Sequence, residues 1–313
     1  MDAAALKNTI RETAHGEGFF DVRVARVELI ESEFRKYIYW VARRMHADMA
    51  WMARNFERRR NPGNILAGAR SMIMLGMDYY AGDHPEDCTR GKISRYAWGT
   101  DYHDIMLPRL KKIARKIKEI SGAESRCYVD TGPVLERAWA VRAGLGWQGR
   151  NGCIINKKFG SWFFIGTIIT TADLPADAPA REHCGSCRRC IDACPTAAIV
   201  APGVVDSRKC IAYWTVEANA PREFPELVAN HLSGWGFGCD ICQQVCPWNK
   251  KRKEITPESQ FHPRKGEMCL SKKNILDMDE DAFRERFRKS PIKRLKLAGI
   301  KRNFSYFGHT ESL

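Results

Sequence analysis

The sequence predicts a mixed fold, α+β or α/β in class. An N-terminal α/β domain precedes a small cysteine-rich module and a short helical C-terminal region. Three observations predict it. Strand-like and helix-like patterns of apolar residues alternate up to residue 171. A stretch rich in Pro and Ala follows at 173–181, and eight of the 12 cysteines then lie between Cys184 and Cys246. The expected domains are residues 1–175, 176–252 and 253–313.

The first 60 residues read as helix, strand and helix. Residues 1–15 form a short helix that two glycines end. Residues 20–29 alternate enough to form a strand. Residues 31–60 are helical in pattern until Asn61, Pro62 and Gly63 stop the helix. The three arginines at its end suit either a helix C-terminus or a phosphate contact.

The next segment combines a buried strand with a long amphipathic helix. Residues 71–77 are a short apolar run typical of a buried strand. In 93–120 the second half has helical periodicity, with Leu110, Ile113 and Ile117 among its inward residues. The first half gathers aromatic, acidic and imidazole groups around a glycine. We expect a pocket wall there with Tyr102 and His103 as substrate contacts, although His103 alone could equally be a structural hydrogen-bonding group.

Asp130 lies at the junction of a predicted strand and a predicted helix. Residues 127–129 read as the strand, 131–133 as a turn, and 134–143 as a helix that Gly144 caps. Such a junction places Asp130 at the carboxyl edge of a sheet, where ligands bind in open α/β folds. Aspartate is also a preferred helix N-cap, so both roles are open.

The glycine-rich segment 144–152 superficially resembles a phosphate-binding loop. The dinucleotide-binding pattern G-x-G-x-x-G opens a helix directly after a strand, whereas here the pattern follows a helix. We therefore predict no Rossmann site. We expect these glycines to let the backbone lie close against a large flat ligand. Residues 160–171 then read as a strong strand.

The cysteine runs predict two [4Fe–4S] clusters in a bacterial-type ferredoxin domain. The first run has spacings of two, two and three residues before a proline, as in bacterial ferredoxins. In such proteins the fourth cysteine of each run ligates the other cluster. Paired cysteines also bind zinc, but this spacing is not typical of zinc knuckles. The predicted ligands are Cys184, Cys187, Cys190 and Cys246 for cluster 1, and Cys194, Cys210, Cys239 and Cys242 for cluster 2.

Charge and hydropathy restrict the partners and the compartment. The formal net charge of +14 favours a polyanion such as tRNA over a small neutral metabolite. No apolar stretch approaches the ~18 residues of a membrane span. The N-terminus has no signal-peptide pattern, so we expect a cytoplasmic protein without a membrane partner. We also expect a monomer. In a reducing cytoplasm the remaining cysteines should stay thiols; they are Cys88, Cys127, Cys153 and Cys269.

Two clusters beside a separate domain imply a path for single electrons into a site with a second redox cofactor or a substrate. No flavin or nicotinamide fingerprint is present, and the aromatic and glycine-rich surface suggests a large planar group. The residues alone therefore indicate an iron–sulfur oxidoreductase with an unidentified partner cofactor and an external electron donor. An electron-transfer subunit is the non-enzyme alternative.

Five segments resemble the epoxyqueuosine reductase (QueG) family. They are SRYAWGTDYH at 94–103, VDTGPVLERAWAVRAGLGWQG at 129–149, the first cysteine run at 184–195, DSRKCIAYWTVE at 206–217 and GCDICQQVCPWN at 238–249. The resemblance covers about residues 1–309. It implies an enzyme that uses cobalamin and two [4Fe–4S] clusters to reduce epoxyqueuosine at the tRNA wobble position to queuosine. The family is related to the reductive dehalogenases, so a dehalogenase-like enzyme is the alternative.

The resemblance also implies roles for individual residues. It makes Asp130 the proton donor to the epoxide oxygen, and we expect burial beside the corrin to raise the pKa of its carboxyl above the usual ~3.9. Independently of the resemblance, we expect Arg137 in the substrate pocket with Tyr102 and His103. The family often has a serine in Cys-Ile-Ser-Tyr where this chain has Ala212. The positions expected near the corrin are Ser94, Asp130, Ile155, Gly166, Ala212, Asp240, Ile241 and Gln243.

Some members of the family carry C-terminal helical repeats. A chain that ends at Leu313 has no room for them, so RNA contacts made by such repeats are not expected here.

Overall fold

In the computed structural model, which describes residues 2–264 and 266–307, one four-stranded sheet is surrounded by helices of very different length. The strands are β1 (Asp21–Arg26), β2 (Ser71–Asp78), β3 (Lys92–Ile93), β4 (Ser125–Tyr128), β5 (Trp147–Gln148), β6 (Ile154–Ile155), β7 (Phe163–Thr170), β8 (Ile199–Ala201), β9 (Val204–Val205) and β10 (Trp235–Phe237). The helices are α1 (Ala3–Gly16), α2 (Glu31–Ala42), α3 (Phe56–Arg60), α4 (Tyr102–Ser121), α5 (Glu136–Ala143), α6 (Arg189–Asp192), α7 (Ile211–Val216), α8 (Glu226–Ala229), α9 (Ile241–Gln244), α10 (Pro247–Lys250), α11 (Lys272–Leu276), α12 (Glu280–Arg286) and α13 (Lys296–Ser305).

The central sheet has the strand order β1-β2-β7-β4, and every neighbouring pair in it is antiparallel. Strands β2 and β7 lie in the middle and are almost entirely apolar, because both of their faces are covered. Odd-numbered residues of β2 such as Ile73 and Leu75 pack towards α1 and α4. Even-numbered ones such as Met72 and Met74 pack towards Trp139 of α5. The mixed fold class predicted from the sequence is confirmed.

The cysteine-rich module attaches to this domain through the β5–β6 hairpin. Trp147 of the hairpin packs against Trp248 with 4.9 Å between ring centroids, and Ile155 is buried beside Cys246. Another core joins residues 93–98 to the helices that follow the second cysteine run, with Trp98, Trp235 and Phe304 among its buried side chains. The short helical C-terminal region is therefore packed into the molecule and is confirmed as helical.

Several expectations need correction. The single helix expected at 31–60 is broken into α2, a short 3-10 turn and α3, and Arg44, Ala47 and Asn55 between them have positive φ. The helix after Asp130 begins at Glu136 rather than at residue 134, with Leu135 as its N-cap, so Asp130 is not the cap. Because the central sheet is antiparallel, the carboxyl-edge argument for Asp130 does not apply to it.

The glycines of segment 144–152 approach the protein itself and not an open ligand surface. A Cβ on Gly144, where φ is +85°, would lie 2.3 Å from the carbonyl oxygen of Ala178. One on Gly146 would lie 2.4 Å from that of Ile155. The expectation of a flat ligand on these glycines is therefore wrong on the side where their Cβ atoms would point. The absent side chains allow the hairpin and the linker to pack closely.

Two arginines in basic segments of the sequence have structural roles. Arg59 is buried and donates hydrogen bonds to the carbonyl oxygens of Trp51 and Arg54, so it is neither a solvated C-terminal cation nor a phosphate contact. Arg302 donates to the carbonyl oxygens of Trp214 and Ala218. These guanidinium groups lie beneath the surface. Their N–H groups therefore donate to backbone carbonyl oxygens rather than to water.

The remaining cysteines are not all thiols. Cys88 and Cys269 form a disulfide with an S–S distance of 2.09 Å across 181 residues of sequence, so the expectation of four free thiols is wrong for this pair. Cys127 and Cys153 are free. Among the described residues, no helix is both long and apolar enough to cross a membrane.

Candidate active site and cluster sites

The four thiols assigned to cluster 1 line one open cavity of about 220 Å³. Burial, together with the nearby thiols of Cys246 and Cys184, raises the pKa of Cys190 to about 11. Thiolates in such a place need a compensating positive charge, which bound iron supplies. The cavity is lined by Cys184, Cys187, Cys190 and Cys246, so the donor set fits the cluster expected there.

Local structure explains how the two cysteine runs meet at this cavity. The first run wraps a tight loop that continues into α6, and Arg150 donates a hydrogen bond to the carbonyl oxygen of Gly185 in that loop. Cys246 is the N-cap of α10, and Pro247 occupies the first helical position. The proline therefore turns the chain at the point where Cys246 faces the first run.

The thiols assigned to cluster 2 are also neighbours. Burial raises the pKa of Cys239 well above its usual value, and the nearby Cys210 and Cys194 raise it further. Burial raises the pKa of Cys242 likewise, with Cys239 and Cys210 close by. In residues 2–264 and 266–307, no group of three or more His, Cys, Asp or Glu side chains is arranged to hold a single metal ion.

Free Cys153 lies between the two sets of thiols. Burial raises its pKa, and both Cys246 of the first set and Cys210 of the second contribute to the shift. Its backbone N–H donates to the side chain of Asn151 at 3.1 Å. The two predicted cluster sites are thus parts of one continuous region beside the β5–β6 hairpin.

Asp130 follows β4 in a left-handed backbone conformation, with φ of +62°. Its carboxylate accepts a hydrogen bond from the Tyr102 hydroxyl at 3.1 Å, and its backbone N–H donates to Glu136 at 3.3 Å. Its side chain is exposed in the structure. The apolar burial that we expected around this carboxyl is therefore not provided by the chain.

Tyr102 and His103, the expected substrate contacts, stand beside Asp130 at the start of α4. The Tyr102 ring stacks on Phe164 of β7 at 4.3 Å and lies 4.1 Å from the His103 ring. His103 donates a hydrogen bond from Nδ1 to the carboxylate of Asp101 at 2.8 Å. Burial opposes protonation of His103, but this hydrogen bond and the charges of Asp101 and Asp130 raise its pKa. Its Nε2 is buried and has no hydrogen-bond partner.

Three charged residues near Asp130 were not singled out as site residues from the sequence. Glu136 is half-buried, and burial together with the charge of Asp130 raises its pKa to about 7. Burial also raises the pKa of Glu217, against the opposing effect of Arg294, which lies 2.6 Å away. The sequence places Glu136 six residues from Asp130, which was the one local signal for it.

A second polar group lies next to the cluster 2 thiols. Asp240 is buried and accepts hydrogen bonds from the Ser94 hydroxyl at 2.5 Å and the Arg95 backbone N–H at 2.8 Å. Gln243 donates to the same carboxylate at 3.3 Å. Tyr96 stands between the two groups, since the charges of both Asp130 and Asp240 raise its pKa after the larger effect of burial.

The other expected site residues are more scattered. Ile155 lines the cluster 1 cavity, and Ala212 and Ile241 lie in α7 and α9 next to cluster 2 cysteines. A Cβ on Gly166 would lie 3.0 Å from Leu110 in the core beneath α4. Arg137 is exposed, and its charge acts on Glu136 and Cys153.

Aromatic rings connect the surroundings of Asp130 and Asp240. The partly buried rings of Tyr96 and Tyr102 lie 6.4 Å apart, and the Tyr96 ring packs at 6.1 Å against Phe237, which is buried in the core. The unpartnered Nε2 of His103 offers a polar contact. The fold and these sites define an iron–sulfur oxidoreductase in which a double-cluster domain adjoins an aromatic site with a carboxylic acid.

Comparison with known proteins identifies the family within this class of oxidoreductase. A family profile described as "Epoxyqueuosine reductase QueG, DUF1730" matches residues 59–131, and one described as "4Fe-4S double cluster binding domain" matches residues 183–249. An epoxyqueuosine reductase of Synechocystis sp. is 45% identical over 266 residues, covering 84% of this chain and 91% of the relative. The chain belongs to the epoxyqueuosine reductase family.

Further relatives extend the match along the chain. The epoxyqueuosine reductase of Leadbetterella byssophila is 41% identical over 301 residues, with 95% of this chain and 96% of the relative covered. A crystal structure of epoxyqueuosine reductase with an epoxyqueuosine-modified tRNA-Tyr stem loop has a TM-score of 0.90 at 27% identity, covering 96% of this chain and 80% of that one. A Bacillus subtilis structure, with its catalytic aspartate loop swung out of the active site, has a TM-score of 0.88 at 26% identity over the same shares.

Proposed function

We propose that this chain reduces the epoxide of epoxyqueuosine in tRNA to give queuosine. The observation that carries the proposal is the position of Asp130, held by Tyr102 and Glu136 beside an aromatic site that continues to the cluster thiols. The crystallised relative that binds an epoxyqueuosine-modified stem loop supports the same substrate. The positive net charge of +14 suits an RNA partner.

We propose that cobalamin occupies the aromatic region between Asp130 and Asp240. The clusters, when bound, would supply single electrons, and bound cobalamin would supply a redox-active cobalt centre for reduction of the epoxide. Of the residues expected near the corrin, Ser94, Asp240 and Gln243 form a hydrogen-bonded group beside the cluster 2 cysteines. They would hold that edge of the ring. Family membership favours this reductase over the dehalogenase-like enzyme and the electron-transfer subunit.

In the proposed reaction Asp130 holds the proton that the leaving epoxide oxygen requires. Converting the epoxide to the alkene of queuosine takes two electrons and two protons and releases the oxygen as water. The first proton goes to the oxygen as the ring opens, and a positioned carboxylic acid that supplies it lowers the barrier. The Tyr102 hydroxyl holds one carboxylate oxygen of Asp130. Ligands that cover this exposed carboxyl would exclude water from it. A relative whose catalytic aspartate loop swings out of its active site supports an acid carried on a loop.

The test is turnover of a defined substrate by the loaded enzyme. Anaerobic protein with both clusters and cobalamin, a strong reductant and an epoxyqueuosine-containing anticodon stem loop should give queuosine in nucleoside digests. Unchanged epoxyqueuosine under these conditions would rule out the proposed activity.

Asp130→Asn should reduce turnover at least about a hundredfold, because an amide cannot donate the required proton. Iron content, cobalamin binding and stem-loop affinity should be close to those of the unsubstituted protein. Glu124→Gln, a change at an exposed carboxyl directly before β4, serves as the matched control. Full turnover by Asp130→Asn would remove the proton-donor role.

We propose that the external electron donor approaches the mouth of the cluster 1 cavity. Arg150, Arg189 and Lys251 line this cavity together with the four thiols, so a donor with acidic groups around its redox centre would be attracted. Arg189→Glu with Lys251→Glu should slow cluster reduction by such a donor and leave photochemical reduction unchanged. Weaker stem-loop binding with normal reduction would assign the basic rim to RNA instead.

We further propose that the protein works as a monomer in the cytoplasm, where its tRNA substrate is found. Sedimentation of the loaded protein with and without a stem loop measures the first point, and a dimer at working concentration would contradict it. The three-part division at residues 1–175, 176–252 and 253–313 is a further proposal. Separate expression of residues 1–175 tests whether that part folds alone.

A further inference from the structure

Glu136 contacts the loop of Asp130 directly although the sequence assigned it no role. Its Oε1 accepts a hydrogen bond from the backbone N–H of Asp130 at 3.3 Å and another from the hydroxyl of Thr167 at 3.1 Å. Thr167 is buried in β7 and pairs with Tyr128 at the end of β4. One carboxyl therefore joins helix α5, strand β7 and the loop that follows β4.

A simpler explanation is that Glu136 only stabilises the start of α5. It is the first residue of that helix, where a negative charge is favourable. However, the hydrogen bonds that its side chain accepts come from Asp130 and Thr167, which lie outside α5. The side chain is also half-buried, whereas a carboxylate that serves only the helix dipole can remain in water.

The backbone conformation of Asp130 requires support from its surroundings. A φ of +62° is uncommon for a residue with a side chain, and such conformations persist where neighbouring contacts hold them. The hydrogen bond to Glu136 uses the backbone N–H of this residue, while Tyr102 holds its carboxylate. The two contacts together define both the backbone and the side-chain position of Asp130.

We propose that Glu136 is a positioning residue that holds the Asp130 loop in its proton-donating position, and that it does so most strongly when its carboxyl is ionised. The inference rests on the proposed function, in which Asp130 is the acid. An ionised acceptor makes a shorter and stronger hydrogen bond to an N–H than a neutral one.

The ionisation of Glu136 falls near neutral pH. Burial and the charge of Asp130 raise its pKa to about 7, while the hydrogen bonds from Thr167 and from the Asp130 backbone, and the charge of Arg137, act in the opposite direction. The charge of Asp130 also acts on four further groups, Tyr102, His103, Glu217 and Arg294. The site therefore contains two neighbouring carboxyls with different roles.

The test measures hydrogen exchange in residues 128–132 together with turnover of the epoxyqueuosine stem loop, both between pH 6 and 8.5. The variants are Glu136→Gln, which keeps an oxygen acceptor without its charge, Glu136→Ala, and Thr167→Val. Ser125→Ala is the matched control, because it removes a hydrogen bond from Ser125 to Thr170 on the same strand pair. Exchange is measured on cluster-loaded, cobalamin-bound protein without substrate and is corrected for the intrinsic rate.

In the unsubstituted protein, protection of the Asp130 amide should rise as pH increases through about 7. Glu136→Gln should keep moderate protection that no longer depends on pH, with turnover reduced about tenfold. Glu136→Ala should lose both protection and most turnover, Thr167→Val should be intermediate, and Ser125→Ala should match the unsubstituted protein. This pattern separates a positioning role from simple helix stabilisation, which would not change the pH profile.

Equal protection and equal pH dependence in Glu136→Gln and the unsubstituted protein would overturn the inference. If Glu136→Ala does not fold, the comparison with Glu136→Gln still decides it, since that change preserves shape. If the unsubstituted protein does not convert the stem loop, the proposed function fails. The exchange data would then still decide whether Glu136 holds the loop.

Discussion

Asp130 and Glu136 illustrate how two carboxyls close together can acquire different tasks. Asp130 is exposed and points to Tyr102, while Glu136 is half-buried and accepts hydrogen bonds from Thr167 and from the Asp130 backbone. Enzymes that use paired carboxyls separate their protonation states by giving each a different environment. Here the exposed carboxyl can reach a substrate, and the withdrawn one can hold its loop.

Glu136→Gln should change the pH dependence of stability. The folded pKa of Glu136, about 7, is above the unfolded value of 4.5, so folding favours the protonated form. The resulting stability is fully present below pH 4.5 and is lost as pH rises through about 7. The upper limit of this effect is about 3 kcal/mol, at about 1.4 kcal/mol per pKa unit. The free energy of unfolding, measured with denaturant, should therefore fall less between pH 5 and pH 8 in Glu136→Gln than in the unsubstituted protein.

The matched control for this prediction is Glu258→Gln. Burial alone would raise the pKa of Glu258, but its hydrogen bonds, above all that from Arg109, lower it overall. Its stabilising effect is thus present at high pH and is lost as pH falls, which is the opposite sign. The same pH dependence in both variants would contradict the assignment of a raised pKa to Glu136.

Strand β7 and helix α4 together build the wall of the site. β7 provides Phe164, which stacks on Tyr102, and Thr167, which holds Glu136. α4 begins at Tyr102 because Asp101 caps it by accepting a hydrogen bond from the His103 N–H at 3.0 Å. Successive residues of β7 face opposite sides of the sheet, so Phe164 and Thr167 point to different sides. One strand therefore supports Tyr102 on one face and, through Glu136, the Asp130 loop from the other.

The segment after α10 is attached to β2 by an ion pair between buried side chains. Arg252 donates a hydrogen bond to Asp78, and both side chains are less than a tenth exposed. Burial raises the pKa of Asp78 to about 6 although Arg252 lowers it. Arg252→Met should destabilise the protein by about 3–5 kcal/mol, because it leaves a buried carboxyl without its partner.

The double variant Asp78→Asn with Arg252→Met should recover part of that loss in denaturant unfolding. The exposed pair Arg70–Asp173 provides the comparison, since both side chains are about two-thirds exposed. Arg70→Met should cost at most about 1 kcal/mol. Similar losses at the two arginines would show that the Arg252–Asp78 contact does not anchor this segment.

The molecule as a whole connects two cysteine runs, an aromatic site and a loop acid along one path. Cys246 belongs to the second run in sequence but lines the cavity of the first run in space. Cys153 lies between the two sets of thiols. Electron transfer through such an arrangement requires that the clusters stay in a fixed relation to the substrate site, and the packing of Trp147 against Trp248 provides that relation.

Cys246→Ser should remove cluster 1 and leave cluster 2. The expected iron content falls from about eight to about four atoms per chain, since each cluster contains four irons. Cys127→Ser changes a free cysteine in β4 that is not a predicted ligand, and it should keep the full iron content. Metal analysis and electron paramagnetic resonance of the reduced protein measure both. Loss of the same signal in Cys246→Ser and Cys194→Ser would contradict the exchange of ligands between runs.

Local sequence was enough for the elements and the metal chemistry. The cysteine spacings predicted a double-cluster domain, because a cubane can be wrapped only by thiols at short fixed intervals. The apolar periods predicted β2, β7 and α4, since these are set by the geometry of each element alone. The resemblance to the epoxyqueuosine reductases directed attention to Asp130, whose local pattern left a helix cap equally open.

Packing between distant segments decided the rest. The antiparallel direction of the sheet, the Cys88–Cys269 disulfide across 181 residues and the burial of Arg59 and Arg252 all depend on partners far away in the chain. The hydrogen bond of Glu136 to Asp130 depends on where α5 begins and how it crosses β7. Spacing along a chain specifies which side chains share a face, whereas only the folded arrangement specifies which faces meet, because that is determined by the combined packing of all of them.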